Sequence, residues 1–70
     1  MAEDYQELVA SGASEAEIRA FLSQSEQTAV TIRVPKNLKS AIEEEAEARG
    51  MSFSAFVRSC VVEELAKPAE

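Results

Sequence analysis

The sequence predicts a mostly α fold built around one lone β-strand, completed only when a second copy of the chain supplies the strand it must pair with. Three observations predict it. Four segments carry helical spacing of apolar residues with start or stop signals, while one segment, residues 28–34, alternates at period two. The third is size: at 70 residues the chain is short of core. Domains below about 70–80 residues rarely gain more than ~3–5 kcal/mol from a single core without disulfides, metal or association. Cys60 is the only cysteine and there is no histidine, which removes an intrachain disulfide and a zinc site of ordinary ligand spacing. Association remains.

Taken in order, residues 1–27 read as an acidic helical extension and linker. Tyr5, Leu8 and Val9 share one helical face, and Gly12 suits a C-terminal stop. Ser14 and Glu17 have capping-box spacing ahead of Ile18, Phe21 and Leu22. Both helices are too short to stand alone, so they pack on something or order on a partner. Residues 23–27 are polar and read as a linker. In the strand, Val30, Ile32 and Val34 form an apolar face and Ala29, Thr31 and Arg33 a wet one. Pro35 ends it and suits the first turn of a helix over about 36–49. Leu38, Ala41, Ile42 and Ala46 make that helix's apolar side, with Glu43, Glu44, Glu45 and Glu47 outward. Gly50 closes it, Ser52 caps a second helix over about 53–66, and Phe56, Val57, Cys60, Val61 and Leu65 are the apolar side there. Pro68 follows its end within a tail, 67–70.

A single strand leaves its amides and carbonyls unpaired, and an open edge is a template for another chain. The same strand of a second copy, antiparallel about a two-fold axis, satisfies it. The predicted dimer core is then Val30, Ile32, Val34, Leu38, Ile42, Phe56, Val57, Cys60 and Val61. Ala29, Thr31 and Arg33 of each copy would stand on a two-stranded ribbon of a width that fits the DNA major groove.

Residues Val30-Thr31-Ile32-Arg33-Val34-Pro35, Leu38, Ile42, Ala46, Gly50-Met51-Ser52-Phe53-Ser54 and Val57 carry a resemblance. In order and spacing, 28–66 resembles the ribbon-helix-helix family of MetJ/Arc/CopG-type DNA-binding proteins. The resemblance implies an intertwined homodimer with a two-stranded antiparallel β-ribbon. It implies that Ala29, Thr31 and Arg33 face base edges; a guanidinium can engage guanine O6 and N7 together. Ala29 stands where the family often has a polar residue, and offers only an apolar contact. The family clamps DNA phosphates with the second helix's N-terminus, here Ser52, Phe53 and Ser54, and Lys36 can assist. Phe53 stands where a basic residue is common. The blander alternatives are a solvated strand face and an ordinary Ser52 cap. Arg58 is expected to pair with the first helix's glutamates, and Cys60 to pack as a small hydrophobe.

The net charge of −6 is uneven: residues 1–27 hold six acids against Arg19 alone, a net of −5, and residues 28–70 are close to neutral. A serine nucleophile would need an activating base, and no histidine is present to be one. The expectation is a non-enzyme without cofactors or metal. The absence of an apolar run near 18 residues, of a secretory signal and of paired cysteines points to the cytoplasm, with no membrane; the resemblance implies a bacterial setting, on nucleoid or plasmid. The leading expectation is a sequence-specific repressor of its own operon, in an antitoxin or plasmid-regulator setting, bound to double-stranded DNA as a homodimer or a higher assembly. Two alternatives stand beside it. One is a relaxosome or partition accessory protein whose front segment recruits a partner; the other is a dimerisation adaptor that no longer binds DNA. Tyr5, Leu8, Ile18, Phe21 and Leu22 are the candidates for contacting a protein such as a toxin or a relaxase.

Overall fold

A computed structural model describes residues 4–67, which hold four helices: α1 (Tyr5–Ala10), α2 (Glu15–Leu22), α3 (Lys36–Ala48) and α4 (Phe53–Ala66). The expected tail beyond Lys67, Pro68 included, lies outside the described residues. Several helix boundaries have a local cause. Asp4 caps α1 by accepting from the Glu7 amide at 2.9 Å. The Ser14–Glu17 box is formed in both directions: the Glu17 amide donates to Ser14 Oγ at 3.1 Å and the Ser14 amide to Glu17 Oε1 at 2.7 Å. Two of the donors that a helix start leaves unpaired are thereby satisfied.

Both glycines adopt positive φ, +83° at Gly12 and +68° at Gly50, and each ends a helix. After α3 the Met51 amide reaches back to the Ala46 carbonyl at 2.9 Å and the Gly50 amide to that of Glu47 at 3.0 Å. This paired 6→1 and 5→2 closure is the Schellman motif. Gly12 closes α1 in the same way, through Ala13 to Leu8 and Gly12 to Val9.

The fold expectation needs one correction: no strand occurs among the described residues, so no β-ribbon is seen. Residues 28–34 are neither helix nor strand, and Val30 and Ile32 are 76% and 69% exposed. The physical reason lies in what a strand needs. Its backbone groups are satisfied only across a ladder, and the chain's other long segments are committed to helices, so the alternating sequence has nothing to pair with.

Two compact units divide the chain. In one, α1 and α2 pack against each other and are joined by the end of α4 from Val62 onward. Ile18 and Ala66 are its buried apolar residues. The Tyr5 hydroxyl donates to the Leu65 carbonyl at 2.8 Å, and Arg19 bridges Glu15, at 3.1 Å, and Glu63. The other unit is Thr28–Val61, where Ala46 is buried. There the Arg49 guanidinium lies 5.2 Å from the centre of the Phe56 ring and pairs with Glu45 at 2.8 Å, tying the end of α3 to the start of α4.

Candidate nucleic-acid interface

The expected base-contacting residues Ala29, Thr31 and Arg33 are all exposed on the irregular segment that precedes α3. Arg33 makes no ion pair among the described residues, and neither does Lys36. Two of the four glutamates of α3 are paired close by, Glu43 with Lys39 at 2.9 Å within the helix and Glu45 with Arg49 just past its end. Arg58, expected to pair with them, has no such partner among the described residues.

The start of α3 is electrostatically unusual. Pro35 is its N-cap and gives no side-chain cap bond, and the first turn holds no acidic residue. The Lys39 amide donates to the Pro35 carbonyl at 3.1 Å, and the amides of Lys36, Asn37 and Leu38 meet no acceptor among the described residues. A helix start is the positive end of the helix dipole and favours anions. Here it carries Lys36 and Lys39 instead, with Arg33 just before it. Like charge at that end costs stability in isolation and suits a phosphate. The sequence showed Lys36, but the uncapped amides beside it became visible only in the structure.

The second candidate, the start of α4, is also exposed. Ser52 Oγ accepts from the Ala55 amide at 3.1 Å and the Ser52 carbonyl from the Phe56 amide at 2.9 Å. The cap therefore serves Ala55 and leaves the amides of Phe53 and Ser54 without an acceptor among the described residues. Both residues are exposed.

The expected dimer-core residues are not gathered within one chain. Val30, Ile32, Leu38, Cys60 and Val61 are exposed, and Val34, Ile42, Phe56 and Val57 are half-buried. The partner-contact candidates behave differently. Ile18 is buried, and Tyr5, Leu8, Phe21 and Leu22 are half-buried in the unit that includes the end of α4. No helix among the described residues is long and apolar enough to cross a membrane.

Two helices joined by a Gly-Met-Ser turn, preceded by an exposed alternating segment with a cation at its end, are the parts of a small DNA-binding module. The chain belongs to the CopG family of ribbon-helix-helix proteins, whose family model matches residues 28–68. That family is one of DNA-binding transcription regulators that form dimers and are not enzymes. The match begins where the alternating segment begins and takes in both α3 and α4. No curated protein and no solved structure matches the chain.

Proposed function

We propose that this protein is a homodimeric transcriptional repressor that binds specific double-stranded DNA sites and regulates by occupying them. Arg33 is the principal base contact, Thr31 a hydrogen-bonding or thymine-methyl contact and Ala29 an apolar one. Lys36 and the amides of Phe53 and Ser54, which meet no acceptor among the described residues, hold backbone phosphates, with Ser52 fixing their turn. The observation that carries the reading is the exposed Arg33, without an ion pair among the described residues, next to the lysine-bearing start of α3 that has no side-chain cap, inside the segment matched by a DNA-binding family. The overall charge of −6 does not oppose it, since the excess acid lies in residues 1–27. The apolar residues left open in Thr28–Val61 supply the surface that a second copy covers. A DNA regulator works where the DNA is, so we place it in the bacterial cytoplasm.

The test is selection of bound sequences from random duplex DNA by the purified full chain, with Arg33→Ala in parallel. Enrichment of a defined site is expected for the natural chain. The variant should bind that site more weakly by about 1–3 kcal/mol and tolerate more bases at one step. Absence of enrichment even at low salt sinks the DNA-binding reading.

A further inference from the structure

We infer that residues 4–22 form an intrachain strap that caps and holds the C-terminal turn of α4, coupling the order of the front segment to the helical length of α4. The last four carbonyls of any helix lack acceptor duty within it and must be satisfied from outside. In α4 these belong to Glu63, Glu64, Leu65 and Ala66. The Leu65 carbonyl is met by the Tyr5 hydroxyl at 2.8 Å, from 60 positions away in sequence. A second defect of the same turn is electrostatic. Glu63 and Glu64 sit at the negative end of the helix dipole, where cations are favoured; Lys67, just past the helix, pairs with Glu64 at 3.2 Å, and Glu63 has no cation in the last turn. Arg19 pairs with Glu63 and is itself held in place by Glu15 one turn before it in α2. Ile18, adjacent to Arg19, and Ala66, adjacent to Leu65, are the two buried apolar residues of this unit among the described residues. A hydrogen bond, an ion pair and apolar burial thus meet on one turn of α4.

The dependence runs both ways. α1 and α2 have six and eight residues, too short to be stable alone, and the end of α4 is what they share a compact unit with. When the strap opens, the last turn of α4 loses its cap, and both the strap and that turn fray. A protein partner that takes Tyr5 or Ile18 must first open the strap, and by linkage it weakens the end of α4 by the same factor. The front segment is thereby a latch whose state is written into α4.

Hydrogen exchange of the full-length chain tests this with two kinds of variant. Tyr5→Phe removes one hydroxyl and keeps the ring. It is expected to speed exchange of the Leu65, Ala66 and Lys67 amides about two- to tenfold, the range for losing one hydrogen bond, while amides of α3 keep their rates. Arg19→Glu should loosen the same turn, and Arg19→Glu combined with Glu63→Arg should restore it. Unchanged exchange at 65–67 in Tyr5→Phe overturns the strap. So does equal acceleration in α3, which would mean general destabilisation, or a charge swap that restores nothing.

Discussion

Gly50 and Lys36 show how single residues set this fold and its interface. At Gly50, φ is +68° and a Cβ built there would meet nothing within 4 Å, so alanine is opposed by backbone strain alone. The left-handed region costs a non-glycine residue about 1–2 kcal/mol. Gly50→Ala should lower stability by that amount in urea denaturation, with an unchanged m-value. A loss near zero would mean that the turn relaxes at no cost. Lys36 sits at the first position of α3. Under the proposed function it neutralises a phosphate, so Lys36→Ala should weaken binding to all DNA sequences alike. It should also flatten the dependence of log K on log salt by about one unit per copy. A variant with altered sequence preference but an unchanged salt slope would remove Lys36 from the backbone contacts.

The helices were legible in the sequence because their ends are encoded locally. Ser14 and Glu17 announce α2, Gly12 and Gly50 close α1 and α3, and Ser52 opens α4; all lie within four residues of what they cap. Ser14→Ala should therefore cost about 0.5–2 kcal/mol. The loss should appear in hydrogen exchange at the first turn of α2 before it appears at α3. Equal loosening of both helices would contradict local capping. Residues 28–34 show the limit of such reading. Their alternation was plain, but whether they form a strand depends on groups outside the segment, and no strand pairs with them among the described residues. The end of α4 shows the same limit from another side. No spacing rule links Tyr5 to Leu65 or Arg19 to Glu63, since the contacts join positions 60 and 44 apart. The apolar residues of α1 and α2 were readable; what they would pack on was not. Of the candidate interface, residue identity was readable at Arg33 and Lys36, and the vacancy of the neighbouring amides was a property of the fold.

For the whole molecule, the shortage of core inferred from length is visible residue by residue. Among the described residues the buried hydrophobics are Ile18, Ala46 and Ala66, while Val30, Ile32, Leu38, Phe53 and Val61 stay exposed. If a second copy covers the latter group, folding is linked to concentration. Each tenfold increase in protein should then add about 1.4 kcal/mol of apparent stability per dimer. The midpoint of thermal unfolding should climb accordingly, and a concentration-independent midpoint would argue for a self-sufficient monomer. Alkaline pH offers a different view. Glu63 and then Glu15 hold the Arg19 guanidinium above its ordinary pKa. The stability this contributes is present at all pH below the ordinary arginine value and is lost only as pH rises through the raised one. Through the neutral range Arg19 therefore imposes no pH dependence on the strap. Tyr5 has one more consequence. It is the only tyrosine, and the chain has no tryptophan, so the native emission at wavelengths longer than those of the three phenylalanines comes from one ring, whose hydroxyl is bonded to the Leu65 carbonyl. Its emission, and the dichroism within the tyrosine band, report on one contact without any attached label, and so offer an optical gauge of latch opening in dilute solution.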